Sequence, residues 1–292
     1  MKLLVVWNER PLSIHVLSQR ERGQLDALPR QARTRWLVSR RALRLLLGLL
    51  GLPRDTAAYT FPHRRVSLSH VGSAAVAAGA EQASTGLHLR GVGVDLEPDR
   101  AARVDTSRFF LDEREQTWLA SLPHSVRATN RMRLWTVKEA LFKADPYNRH
   151  TVLRDYATAD PAAHQGRAHA RPHPITNFAY ASARLNGGHL SGAVAFENPA
   201  TPARLTSPQP ESERPVPALT FADVAERVTS TLSVPVEKLT PETKLRELAA
   251  DSFLLVEMAV DLQEEFDTVF TQHELREVTT LGELAALVGV RP

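Results

Sequence analysis

Apolar residues along this chain recur with two periods, and each period predicts its own kind of element. Within residues 29–50, Trp36, Leu43, Leu46, Leu47 and Leu50 stand three, four and seven positions apart, and Gly51 and Pro53 follow as stop signals, which predicts a helix. Residues 133–145, RLWTVKEALFKAD, written as a helix place Trp135, Glu139 and Phe142 along one side, with Lys143 one turn after Glu139. Strand signals lie at residues 1–7, which are β-rich, at 66–69, where apolar and polar residues alternate, and at 91–97, GVGVDLE. Residues 175–197 read as two β runs around Asn186-Gly187-Gly188, a hairpin signal. A loop and helix are expected around Phe109, Phe110, Trp118 and Leu119, while residues 145–174, rich in His, Arg, Ala and Pro, show no readable pattern.

The last part of the chain is helical throughout. Phe221, Val224, Ala225, Val228 and Leu232 share one helical face, and Leu255, Met258, Ala259, Leu262 and Phe266 share another. Thr280 and Glu283 form a capping-box pair opening a last helix with Leu284, Leu287 and Val288. Ahead of this bundle, residues 198–217 contain six prolines, only Leu205 and Val216 as long apolar residues, and no periodicity, the composition of a stiff solvated linker. The domains expected are therefore a body over 1–197, a linker over 198–217 and a tail domain over 218–292.

Composition fits this division. At 292 residues, with 43% hydrophobic and 24% charged content, the chain is long enough for two soluble globular domains. The absence of cysteine excludes a disulfide framework and thiolate chemistry. The first apolar run, Leu3 to Trp7, is too short for a signal segment or a membrane span, so a soluble cytoplasmic protein without a membrane partner is expected. Residues 217–292 carry six Lys/Arg against fourteen Asp/Glu, a net −8; the total of +3 leaves +11 on residues 1–216. A basic body suits phosphate-rich small molecules or an acidic protein. Nucleic acid is not expected as a partner, because no nucleic-acid motif and no aromatic–basic interleaving is present.

Candidate chemistry is carried by few residues. On an extended strand Asp95 and Glu97 project from one face, and two carboxylates that close repel unless a cation lies between them; oxygen ligands in small number suit Mg²⁺. Glu139 and Lys143 add an acid and a base one turn apart. An exposed acidic strand and an ordinary amphipathic helix are the competing explanations. The helix over 29–50 also carries Arg30, Arg33, Arg35, Arg40, Arg41 and Arg44, either a solvated face or an anion-binding edge. Ser69-His70 is not a hydrolase pair, since neighbours on a strand point to opposite faces. Ser252, after Asp251, stands at a helix start, where an N-cap serine is common.

Taken jointly, SLSH at 67–70, GVGVDLE at 91–97, RFF at 108–110 and WTVKEALFK at 135–143 resemble the Sfp-type 4′-phosphopantetheinyl transferases over roughly residues 1–197. The tail, with D-S-F at 251–253 and an acidic second helix ending LQEEF, resembles an acyl or peptidyl carrier protein. The resemblance implies an α+β fold of two similar halves, about 1–88 and 89–197, related by a pseudo-twofold axis, followed by a small four-helix carrier bundle. It implies a holo-[acyl-carrier-protein] synthase activity, moving 4′-phosphopantetheine from coenzyme A to a carrier serine, with Ser252 as the attachment point. Asp95, Glu97 and Glu139 would hold Mg²⁺, and Glu139 would serve as base, directly or through water. Lys143, Lys138, Ser69 and His70 would contact coenzyme A, with Arg40 and its neighbour Arg33 as candidates for the 3′-phosphate. The family's G-K-P segment is reduced here to FPHRR, so that Arg64 or Arg65 replaces its lysine or the nucleotide grip is weaker. Val71 stands where a small polar residue is common, and Ala249 where the carrier family has glycine.

The partners implied are the chain's own carrier domain and other carrier proteins of secondary metabolism. About eighteen linker residues have an r.m.s. span of roughly 25 Å, enough for millimolar-scale effective concentration, although proline stiffness opposes it. The alternative is a carrier module whose transferase-like body is an inactive scaffold. A magnesium phosphohydrolase would share the acids but leave the tail unexplained.

Overall fold

The computed structural model describes residues 2–61, 63–81, 88–99, 105–185, 187–197, 220–232, 234–248, 252–266 and 272–288. They belong to two units, Met1–Arg100 with Leu111–Thr206, and Ala101–Phe110 with Ser207–Pro292. The expected linker lies outside the described residues.

In the first unit, β1 (Lys2–Asn8) is followed by α1 (Gln19–Asp26) and the long α2 (Arg30–Leu49). Ser18 and Glu21 close a capping box at the start of α1. Next come β2 (Val66–Val71) and β3 (Ala74–Glu81), joined through Gly72 at φ +53°, a conformation glycine adopts without a Cβ clash. These strands make a three-stranded antiparallel sheet of order β1-β3-β2. Then follow β4 (His88–Pro98), the short α3 (Ser107–Phe110), which groups with the second unit, α4 (Glu113–Ser121) and α5 (His124–Ala144). The chain continues through β5 (Tyr156–Thr158), β6 (Gln165–Ala170), β7 (His173–Leu185) and β8 (Gly188–Glu197). With β4 these form an antiparallel sheet of order β4-β8-β7-β6-β5. The expected hairpin joins β7 to β8, pairing Leu185 with Gly188 and holding Gly187 at φ +77°; Asn186 lies outside the described residues.

Side-chain alternation stacks these elements in four layers. Leu43, Leu46 and Leu47 of α2 pack with Ala75 and Ala77 of β3. The opposite face of β3, Ala74, Val76, Ala78 and Ala80, packs on Val92, Val94 and Leu96 of β4 and on Val194 and Phe196 of β8. The far face of the second sheet receives Val137, Ala140, Leu141 and Ala144 of α5 against Ala193, Ala195, Phe178 and Tyr180. The order is helix, sheet, sheet, helix, and β3 can be buried on both faces because its alanines let both layers approach closely.

The second unit contains α6 (Phe221–Leu232), α7 (Leu245–Leu248), α8 (Ser252–Glu265), α9 (Gln272–Glu277) and α10 (Leu281–Val288). Its core is built from Val224, Ala225, Val228, Met258, Ala259, Leu262, Leu284 and Val288, with Phe221, Leu255, Phe266 and Leu287 packed against it. The side chain of Leu232 lies outside the described residues. The capping box at α10 is present: Glu283 N–H donates to Thr280 Oγ1 at 3.2 Å, and Thr280 N–H donates to Glu283 Oε2 at 3.1 Å. Arg227 of α6 holds Asp261 of α8 in a two-pronged ion pair at 2.7 and 2.6 Å. No helix among the described residues is long and apolar enough to cross a membrane.

Candidate active site

The site grows from the alternation of β4. Its odd-numbered residues, Gly91, Gly93, Asp95 and Glu97, lie on one face, opposite Val92, Val94 and Leu96. At Gly91 and Gly93 a Cβ would land on the carbonyl oxygens of Ala144 and Ala140 in α5. Glycine is therefore required for α5 to lie directly on the strand, and that close approach brings Lys143 of α5 to Asp95. Both strand carboxylates are buried, at 2% and 3% exposure.

Their charge is countered by Lys143, whose Nζ lies 2.6 Å from Asp95 Oδ1. Burial alone would lower the Lys143 pKa, but the carboxylates of Asp95, Glu139 and Glu97 outweigh it and hold the pKa above its usual value. Ser69 Oγ also donates to Asp95 Oδ1, at 3.0 Å, and in turn accepts from Leu96 N–H at 3.3 Å. Two residues earlier, Ser67 Oγ accepts from Val94 N–H at 3.1 Å. The alternate serines of SLSH thus bind β2, an edge strand of the first sheet, to β4, an edge strand of the second. The family resemblance implies a coenzyme contact for Ser69 and no role for Ser67; serines at i, i+2 facing backbone at i, i+2 are the sequence signal for this strand-to-strand link.

The expected three-carboxylate metal set is not gathered as such. Among the described residues no group of three His, Asp or Glu side chains is placed to hold one metal ion. The cation beside Asp95 is the Lys143 ammonium. The donor chemistry nevertheless suits a hard divalent ion: Asp95 Oδ2 is buried and accepts no hydrogen bond among the described residues, Glu97 is its buried neighbour on the strand, and Glu139 is half-buried on the helix above.

Beside this cluster is a cavity of about 680 Å³ whose wall includes Arg35, Trp36 and Arg40 of α2, His63, His70 of β2, Phe142 and Lys143 of α5, and Asn148 and Arg149. No carboxylate lines it among the described residues. Burial lowers the Arg40 pKa, with Glu21 partly restoring it; its guanidinium stacks over Trp36 at 4.9 Å and donates to Thr56 O at 3.3 Å. His70 is held at a pKa of about 4, first by desolvation and then by Arg35 and Lys143, against a smaller opposing pull from Asp95. It is therefore neutral at pH 7 and offers an N–H, not a positive charge.

Three other expected coenzyme contacts lie elsewhere. Arg33 is turned to the end of α1, donating to Leu28 O and Asp26 O at 3.1 Å each. Arg64 donates to Leu89 O at 2.6 Å and is absent from the cavity wall, so in FPHRR it is His63, with Phe61, that reaches the cavity. Lys138 is fully buried, paired with Glu115 Oε2 at 2.6 Å and donating to the Tyr156 carbonyl. Burial lowers its pKa and Glu115 limits the fall. Lys138 is therefore a structural cation joining α5 to α4 and β5, at the end of the run 132–138 that is buried without a break.

Ser252 is the first residue of α8, as the pattern predicts. Asp251 and Ala249 lie outside the described residues.

Residues 91–189 match the family model described as the 4′-phosphopantetheinyl transferase superfamily. Residues 222–288 match the model described as a phosphopantetheine attachment site. An acyl carrier protein of Exiguobacterium sp. (strain ATCC BAA-1283 / AT1b) is 31% identical over 72 residues, covering 24% of this chain and 91% of that protein.

Proposed function

The chain belongs to the acyl carrier protein family through its C-terminal domain, which is joined to a domain of the 4′-phosphopantetheinyl transferase superfamily; from that premise we propose that it transfers 4′-phosphopantetheine from coenzyme A to carrier-protein serines, its own Ser252 included. The observation that carries this reading is the buried Asp95–Glu97 pair, met by Lys143, beside a cavity with a cationic wall and, among the described residues, no acid.

Phosphoryl transfer needs positioning and charge neutralisation more than covalent help from the protein. Arg35, Arg40 and Lys143 neutralise the phosphates of the donor, and neutral His70 donates an N–H to a phosphate oxygen. Asp95, Glu97 and Glu139 are the residues that would hold Mg²⁺, which when bound supplies charge neutralisation at the pyrophosphate. Glu139 accepts the proton of the Ser252 hydroxyl. Ser252 Oγ forms the new bond to the β-phosphorus, the bond to the bridging oxygen breaks, and that electron pair leaves with adenosine 3′,5′-bisphosphate. The products are a holo-carrier domain and the nucleotide. A pseudo-twofold relation between the halves is in keeping with a long helix packed on an antiparallel sheet in each.

The test is to incubate the purified apo-chain with coenzyme A and Mg²⁺ and follow its intact mass. Gain of one phosphopantetheine group is expected, with none in Ser252→Ala or Glu139→Ala. The reduced FPHRR segment, whose Arg64 donates to Leu89 O and does not line the cavity, favours a second reading, a carrier domain on an inactive scaffold. Loading of Ser252 by an added active transferase but not by the chain itself would establish that reading.

A further inference from the structure

The turn that follows α5 is built more firmly than its sequence suggests. Asp145, the C-cap of α5, is 2% exposed; its Oδ1 accepts from Tyr147 N–H at 2.8 Å and its Oδ2 from Tyr156 Oη at 2.7 Å. Thr151 Oγ1, itself buried, lies 2.7 Å from the same Tyr156 hydroxyl. Tyr156 is fully buried between the rings of Phe142 and Phe178, edge-on to both, at 6.3 and 5.7 Å. One phenol on β5 thus fixes both ends of residues 145–151. Within the turn, Asn148 Nδ2 donates to Phe142 O at 3.1 Å.

Between these fixed ends lies Arg149, whose side chain joins Asn148 in the wall of the 680 Å³ cavity. The same wall receives Arg35 and Arg40 from α2 and Lys143 from α5, so cations from three elements converge on a space lined by no acid among the described residues. Lys143 is paired with Asp95, but the three guanidinium groups around one hollow repel one another unless an anion is bound there, and guanidinium groups match phosphate oxygens in pairs.

We propose that Arg149 is a binding residue for the phosphate groups of the coenzyme donor, and that the buried Asp145–Tyr156–Thr151 chain positions it. The inference rests on the transferase reading above and adds a binding element from the turn after α5. Arg149 acts on the bound donor, not on the bond being made, so its loss raises KM and leaves kcat in place.

The experiment uses the full chain with coenzyme A as the probe. Direct binding is measured by calorimetry in a Ser252→Ala background, and turnover with an added carrier domain as acceptor. Arg149→Ala is expected to raise Kd and KM about ten-fold, the order of one lost charge-assisted contact, with kcat within about two-fold, and Arg149→Lys to recover part of the loss. Tyr156→Phe, which keeps the ring and removes the hydroxyl, is expected to raise KM in the same sense by less. Repeating the series with 3′-dephospho-coenzyme A assigns the contact: an undiminished loss places Arg149 on the pyrophosphate, an abolished one on the 3′-phosphate. A wild-type chain that transfers normally, with KM unchanged in Arg149→Ala, overturns this inference alone. A wild-type chain that neither binds nor transfers overturns the proposed function with it.

Discussion

Replacing Lys138 by methionine separates a structural cation from a coenzyme contact. The Lys138 ammonium is fully buried and joins Glu115 at 2.6 Å. Removing one partner of a buried pair typically costs about 3–5 kcal/mol. Glu115 keeps hydrogen bonds from Thr158 Oγ1 at 2.8 Å, Thr158 N–H at 3.2 Å and Asp112 N–H at 3.0 Å, which puts the cost at the lower end, about 3 kcal/mol. Against a domain stability of about 5–15 kcal/mol that loss is large, and with a urea slope of about 2 kcal/mol/M it moves the midpoint down by roughly 1.5 M. All four tryptophans, Trp7, Trp36, Trp118 and Trp135, lie in the first unit, so their fluorescence reports its unfolding without signal from the carrier domain. Adding Glu115→Gln to Lys138→Met should cost less than the two single changes together, because the stranded carboxylate is then neutral. An unmoved midpoint in Lys138→Met, together with a raised KM for coenzyme A, would refute the reasoning and return Lys138 to the coenzyme.

Two further outcomes test how the site is held. Gly93→Ala puts a methyl group on the Ala140 carbonyl of α5, a backbone atom that cannot rotate away; the expected result is a loss of about 2–3 kcal/mol by urea unfolding and of most transfer activity, since Glu139 and Lys143 move with the helix. Glu21 is fully buried; burial raises its pKa, but hydrogen bonds from Thr56, Ser18 and Arg44 outweigh this and hold it at about 2 against an ordinary 4.5. A carboxylate depressed on folding stabilises above its unfolded pKa, so about 3 kcal/mol is present above pH 4.5 and is lost as pH falls toward 2; Glu21→Gln should flatten that limb of the stability profile.

The parts of this site that were legible in the sequence are those where one period dominates. Alternation on β4 put Asp95 and Glu97 on one face, and helical spacing put Glu139 one turn before Lys143, as the structure has them. The face of α5 was not legible, because residues 132–138 are buried without a break and a helix buried all round has no apolar stripe to orient it. For that reason the helical spacing does not show that Lys138 faces Glu115. Strands β5 and β6 leave no readable pattern, because the inward residues of β6, Ala168 and Ala170, are too small to stand out against their outward neighbours Arg167 and His169. Arg149 was hidden for a related reason: the turn that presents it is fixed by Asp145 and Tyr156, eleven residues apart, and such a pairing leaves no periodic trace.

The central claim is tested most directly by the mass of the peptide containing Ser252 after the purified apo-chain has met coenzyme A and Mg²⁺. The account predicts one added phosphopantetheine group on that peptide in the wild-type chain and none in Glu139→Ala. An unmodified Ser252 in a folded wild-type chain, or equal loading in Glu139→Ala, would contradict it.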